Sequence, residues 1–328
     1  MTEVYFSQDI ETILDRIPFE VLGKSVAIKV HFGEKGCTTF LSPRLVQKVY
    51  DKIISSGRDA SLVECNVLYK GSRTNSTDHL KTAKEHGFTD MNIDILDGEL
   101  GDEFIDVMGC KLGKGLEKYD SIIILSHFKG HMMTGFGGAI KNTGMGLGSR
   151  AGKLHMHSRI KPSVNQNRCK SCEICINNCN AKAISLNKTT NKAKIDSDKC
   201  EGCAMCISIC PERAINIPWA SETSEGLQKK IAEYSKAALS IFKNSAIFIN
   251  VLQNITEDCD CLDKPQKPVL DDIGFLLSDN IVAIDQASLD LANNKGFNAV
   301  QKSIEKQPQI EHAANMGIGS KNYKLISI

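Results

Sequence analysis

From the start of the chain to about Ile160, short apolar runs alternate with stretches of helical period. Val26-Ala-Ile-Lys-Val30 reads as a strand. In Pro43 to Ile54, the residues Leu45, Val46, Val49, Ile53 and Ile54 recur at helical spacing. Ser42 supplies the N-cap of that helix and Pro43 its first position, where a missing N–H goes unneeded. Ala60 to Glu64 is the next strand, Thr77 to His86 a helix stopped by Gly87, and Ile93 to Leu96 another strand. Ile122 to Leu125 is the strongest strand and leads into a glycine-rich window, His127 to His157, that reads as a crossing loop. The pattern returns with an amphipathic helix from Glu225 to Lys243, carrying Leu227, Ile231, Tyr234 and Leu239 on or near one face. A strand follows from Ala246 to Leu252, then Ile281 to Ala292 as a strand end running into a helix. Strands alternating with helices predict an α/β fold: a mainly parallel or mixed sheet with helices on both faces.

Between Ser163 and Pro218 the long apolar runs vanish and cysteines recur. CKSCEICINNCNAKAI, from Cys169, and CEGCAMCISICPERAI, from Cys200, repeat with an offset of 31 residues. Val164 and Ile195 open a short strand in each copy, and Ala183-Ile184 and Ala214-Ile215 begin the returning strands. The simplest organisation is one α/β domain (1–162 and 219–328) interrupted by a small α+β module at 163–218. Each copy has the C-x2-C-x2-C-x3-C spacing of bacterial ferredoxins, in which three thiolates of one loop grip a cubane and the fourth ligates the other cluster. Cys169, Cys172 and Cys175 with Cys210 are therefore expected to hold one [4Fe–4S] cluster, and Cys200, Cys203 and Cys206 with Cys179 a second. Pro211 follows the last cysteine as the motif expects, whereas Asn180 takes that place in the first copy. Zinc prefers paired C-x2-C units closed from a distance and has no use for two four-cysteine runs.

Forty basic against thirty-nine acidic residues leave a formal net charge of +1, which argues against a nucleic-acid or membrane surface. The chain starts without an apolar segment of signal-peptide length, and no run approaches the 18 apolar residues of a membrane span. A cytoplasmic location is expected, and there thirteen cysteines are metal ligands before they are a disulfide framework.

The remaining chemistry gathers in two places. The His127 to His157 window holds four of the eight histidines. His155 and His157, two apart, would point the same way on a strand, while His127 and His131 flank Gly130 in a loop. The glycine-rich run Gly135 to Gly148, with Lys129, Lys141, Asn142 and Arg150, could turn amides inward as an anion-binding nest. The second place is the tetrad Asp258-Cys259-Asp260-Cys261, after a strand end. If extended, it sends its thiols to one side and its carboxylates to the other, a soft or a hard metal site or a redox pair. Cys65-Asn66 and Tyr69 to Arg73 follow a strand and either line the same rim or form a solvated loop; His79, His86 and His312 sit on helices as surface residues.

Lys129-Gly-His131, Gly137 to Asn142, His155-Met-His157, the cysteine runs, the Asp258 to Cys261 tetrad and Ile273 to Leu291 together resemble the family called domain of unknown function 362, in its ferredoxin-containing form. The resemblance implies an iron–sulfur protein with the ferredoxin module set inside the α/β fold, and implies no particular reaction. Three functions follow as expectations. The first is an oxidoreductase-like protein whose two cubanes exchange electrons between a redox partner protein and a metal, anion or small-molecule site in the α/β domain. The second is a redox-assisted metal or cofactor maturation protein, and the third a ferredoxin-type carrier with a docking domain.

Overall fold

The structure is a computed structural model and describes residues 2–243 and 245–328. The chain runs β1 (Thr2–Ser7), α1 (Ile10–Leu14), β2 (Ser25–Lys29), α2 (Pro43–Ser55), β3 (Asp59–Glu64), α3 (Ser76–Glu85) and β4 (Ile93–Ile95). Next come a hairpin, β5 (Phe104–Val107) and β6 (Cys110–Gly113), then β7 (Ser121–His127), β8 (Lys129–His131), β9 (Gly135–Gly137), α4 (Ala139–Leu147) and α5 (Arg150–His157). The cysteine-rich segment forms β10 (Ser163–Val164), α6 (Ile174–Asn177), β11 (Ile184–Leu186), β12 (Ala193–Ile195), α7 (Met205–Ile209) and β13 (Ile215–Asn216). The chain ends in α8 (Ser224–Ile241), β14 (Ala246–Leu252), β15 (Gly274–Ser278), α9 (Ile281–Asn293), α10 (Pro308–Asn315) and β16 (Tyr323–Ser327).

Eight strands form one sheet in the order β16-β1-β15-β14-β7-β2-β3-β4. β15 is antiparallel to both neighbours, and every other pairing is parallel, so the sheet is mixed and mainly parallel as expected. The apolar run of β7 explains its central place. Ile122 and Ile124 enter the core on one face and Ile123 and Leu125 the core on the other, all fully buried. Residues of α4, α8, α9 and α10 complete the first core, and α1 and α2 with Ala83 of α3 complete the second. Ser42 caps α2 by accepting from the Leu45 amide, as its sequence predicts.

Several expectations need correction. Ile281 to Asn293 is helix throughout, because Asn280 caps it by accepting from the Val282 and Ala283 amides; the strand is the separate β15. The His127 to His157 window is no loop: it holds a hairpin and two helices. Its glycines permit close packing instead of flexibility. A Cβ on Gly144 of α4 would lie 2.1 Å from the Ile231 carbonyl oxygen of α8, and one on Gly152 of α5 2.3 Å from that of Lys111. His79 is fully buried, facing Glu64 at 3.9 Å, and is no surface residue. Among the described residues, no helix is long and apolar enough to cross a membrane.

Candidate functional site

β2, β3 and β7 run parallel and end on one side, at Lys29, Glu64 and His127. β3 continues the sheet on one side of β2 and β7 on the other, so a crevice opens beyond the carboxyl ends of these strands. A cavity of about 830 Å3 occupies it, a volume suited to a small organic molecule. Its rim carries seven lysines and arginines against three carboxylates, so the balance of internal pairs decides what it can hold.

Two networks neutralise Arg73 and Lys129 among these cations, while Lys35, Lys70 and Arg213 are exposed at the rim and Lys153 donates to the Gly148 carbonyl. Glu64 accepts from Lys29 Nζ at 2.8 Å, from Arg73 Nη1 at 3.3 Å and from the Phe32 amide at 3.3 Å. Glu34 accepts from the Ser72 amide at 2.8 Å and the Tyr69 hydroxyl at 3.1 Å, with Arg73 Nε at 3.5 Å. Asp260, fully buried, forms the second centre: His127 Nδ1 at 2.9 Å, Lys129 Nζ at 3.1 Å and the Thr39 hydroxyl at 3.1 Å surround it. Burial alone would push its carboxyl up, yet His127 and Lys129 hold it well below the usual carboxylate range.

Lys141, projecting from the first turn of α4, has no hydrogen-bond or ion-pair partner among the described residues. Burial pushes its ammonium down to about 7; Lys129 and Lys29 add to the fall, against the opposing pull of Asp260 and Glu64. Three neutral imidazoles share the cavity. His131 Nδ1 accepts from the Met133 and Thr134 amides at 3.1 and 3.2 Å, and His31 Nδ1 from the Gly33 amide at 2.9 Å. Their Nε2 atoms therefore carry the proton and are donors. Burial holds both rings well below the ordinary histidine value, with Lys141 contributing at His131 and Arg73 at His31. Burial, then Lys141 and Lys153, bring His157 down to about 3, and its ring meets Trp219 edge-on at 4.8 Å.

The expected second metal site, His127, His131, His155, His157, Asp258, Cys259, Asp260 and Cys261, does not converge. Because His155 and His157 lie on α5 and not on a strand, they diverge: His155 is exposed and bonds the Tyr234 hydroxyl at 3.0 Å, while His157 lines the cavity. His127 has oxygens at both ring nitrogens, Asp260 on one side and the Gln253 and Asn254 carbonyls on the other. The tetrad is a turn and not an extended strand: Asp260 points inward, Asp258 accepts from Gln301 at 2.9 Å, and Cys259 and Cys261 form a disulfide. Among the described residues, no three His, Cys, Asp or Glu groups are arranged to hold a single metal ion. The expected nest also fails, since the Ala139 and Ile140 amides at the start of α4 already donate to Asp285 at 2.7 and 2.9 Å. Asn142 is engaged by Lys29 and the Leu125 carbonyl, and Lys129 by Asp260, so of the three anion candidates only Lys141 remains free.

Sequence reasoning passed over His31, Glu64, Lys153 and Trp219. One signal was present: Lys29, a charged residue inside an otherwise apolar buried strand, requires a buried counter-charge, which Glu64 provides.

In the cysteine-rich segment, Cys169, Cys172, Cys175 and Cys210 border one small opening. Cys206 is surrounded by Cys203, Cys200, Cys175 and Cys179, and its thiol is pushed up by burial and then by those neighbours. Backbone amides aim at sulfur: Ala193 at Cys169 (3.4 Å), Ala183 at Cys179 (3.3 Å) and Ala214 at Cys210 (3.3 Å). The copies wind alike, with left-handed backbone at Ser171 and Gly202, at Glu173 and Ala204, and at Lys182 and Arg213, each pair 31 residues apart. This segment also walls the cavity. Arg213 of the segment and Trp219, which follows it directly, line the cavity, and Lys70, another lining residue, donates to the Cys210 carbonyl at 3.2 Å. The other cysteines, Cys37, Cys65 and Cys110, are buried; burial raises the thiols of Cys65 and Cys110, consistent with inert packing.

Among solved structures, the lactate racemase apoprotein from Thermoanaerobacterium thermosaccharolyticum is similar at 14% identity, covering 76% of this chain and 50% of its own, with a TM-score of 0.37. A protein from Thermotoga maritima is similar at 12% identity over 74% of this chain and 49% of its own, with a TM-score of 0.34. The chain thus spans about half the length of each. No curated protein matches it. The family described as Domain of unknown function (DUF362) matches residues 26–290, from β2 to α9, which takes in every residue lining the cavity and the cysteine-rich segment. The chain belongs to the DUF362 family.

Proposed function

We propose that this chain carries two [4Fe–4S] clusters and exchanges electrons between them and an anionic ligand held in the cavity at the sheet's carboxyl edge. The observation that carries this reading is the Lys70 to Cys210 hydrogen bond, because it puts a cysteine-bearing turn and a cavity wall in direct contact. The residues fit the group. Cys169, Cys172, Cys175 and Cys210 face one opening, amides point at three of the thiols, and the left-handed turns repeat at equivalent places in both copies. Cys200, Cys203, Cys206 and Cys179 would hold the second cluster.

Bound there, the clusters supply one-electron transfer. The rest belongs to the protein's own residues. Amides and burial around the thiols set the potential, the Lys29–Glu64–Arg73–Glu34 network fixes the cavity wall, and Lys141 and His131 present donors to the ligand. Cys172 and Cys203, the exposed cysteine of each run, mark the edges where a redox partner protein would dock. A reducing cytoplasm keeps these thiols free for iron. The maturation alternative would need a transit site in the His127 and Cys259 region, whose polar atoms are engaged.

The test is anaerobic purification and reconstitution followed by iron, sulfide and electron paramagnetic resonance measurements. The expected content is about eight irons per chain, falling to about four in Cys210→Ala. Fully reconstituted wild-type protein with four irons or fewer would overturn the two-cluster reading.

A further inference from the structure

The cavity is lined by two unlike sets of residues. The polar set includes Lys141, an ammonium without a counter-ion among the described residues, and His131, whose Nε2 is a donor. An ammonium in a low-dielectric site is stable only when an anion joins it. Apolar groups line it as well: Met133 and Met145 are partly accessible and Trp219 is exposed, with Leu227 and Ile231 of α8 fully buried among the lining residues. Methionine sulfur and an indole both favour contact with flat aromatic rings.

Two observations narrow the acidic group. Phosphate sites draw on free amides at a helix start, and the α4 amides of Ala139 and Ile140 are taken by Asp285. Among the cations enclosed in the cavity, Arg73 and Lys129 are paired with carboxylates and Lys153 donates to the Gly148 carbonyl, which leaves Lys141 uncommitted, so the enclosed end matches one anionic group of low charge. A bare anion would also leave the apolar wall in water and fill little of about 830 Å3.

We infer that the cavity binds an aromatic or polycyclic carboxylic acid, its carboxylate on Lys141 and His131 and its ring body against Met133, Met145 and Trp219. The inference deepens the proposed function and rests on the cavity being its ligand site. Binding can be measured independently of electron transfer, because Trp219 is the only tryptophan of the chain and its emission reports the mouth.

The experiment titrates the anaerobic, cluster-loaded chain with 2-naphthoate, 2-naphthalenemethanol and inorganic phosphate, read by calorimetry and Trp219 emission. Naphthoate should bind one site and quench Trp219, with the neutral alcohol at least tenfold weaker and phosphate giving no competition at equal concentration. Lys141→Met should weaken naphthoate at least tenfold, and Lys141→Arg should retain it. Equal binding of alcohol and acid, competition by phosphate, or an unchanged Kd in Lys141→Met would each overturn the inference. Should Lys141→Met fail to fold, the ranking of the three probes on wild-type protein decides alone. Naphthoate binding to protein that takes up no iron would leave this inference standing and remove the cluster reading. Full iron with no naphthoate binding would do the reverse.

Discussion

Lys129 and Lys29 repel the Lys141 ammonium, Asp260 and Glu64 attract it, and the neutral His131 and His157 lie within its influence. The two carboxylates are already committed to Lys29, Arg73, His127 and Lys129, so they temper the repulsion at Lys141 without cancelling it. With the amine pushed down to about 7, the ammonium exists below that pH and the neutral amine above it. An anion bound there needs the charged form. The Kd for 2-naphthoate should therefore be flat near pH 6 and rise about tenfold per pH unit once well above 7. His131 and His157 are held neutral by burial and add no second break between pH 6 and 9. In Lys141→Arg the guanidinium keeps its charge and the profile should stay flat to pH 9. A wild-type profile that is flat over the same range would mean that Lys141 does not carry the binding charge.

α4 shows how an element can be hidden by its own composition. Two glycines and a threonine in nine residues make poor helix propensity, yet the segment is helical because α8 packs against it at glycine and Asp285 of α9 caps it. Asp285→Ala would strand two buried amides and should destabilise the fold by roughly 2–4 kcal/mol, read by denaturant unfolding. Burial pushes the Asp285 carboxyl up to about 6, although the Ile140, Asn250 and Ala139 donors pull the other way. A folded-state value above the unfolded one means stability present below about pH 4 and lost as pH rises through 6. Asp285→Asn should flatten that slope, and a wild-type curve parallel to the Asn variant between pH 4 and 6 would contradict it. The same logic explains what was legible in advance. β7, β14, α2 and α8 announce themselves because one period, two or 3.6, governs their burial. α4 and α5 owe their helicity to partners over 80 residues away, such as Ile231 and Tyr234, and no local pattern carries that information. The Cys259–Asp260–Cys261 turn is likewise set by His127 and Lys129, brought to it by the parallel pairing of β7 with β14.

At the scale of the whole molecule, the chain is held by three hydrophobic clusters of unequal size. Two of them flank the sheet and draw on residues from Val4 to Ala313. The third serves the cysteine-rich segment: ten buried residues, among them Ile184, Ile207 and Ile215 and two of the cysteines, joined to the α/β part through Leu68 and Leu154. So small a core cannot by itself offset the ordering of residues 163–218, whose strands are two or three residues long. Small metal-binding modules commonly take their folding energy from the bound metal. The sheet needs no such help, since no strand of the eight comes from this segment. Iron-free protein should therefore keep the far-ultraviolet circular dichroism of its helices and its main cooperative unfolding transition. Limited proteolysis of it should cut within 163–218, and anaerobic reconstitution should protect those bonds. Because Arg213 and Trp219 also wall the cavity, the same treatment should weaken naphthoate binding without unfolding the sheet. An iron-free chain that resists protease at 163–218 as well as the loaded chain does would show that the segment folds on its three isoleucines and their neighbours alone. Loss of the main transition along with the iron would show instead that the sheet depends on the segment, against the separation of the three cores.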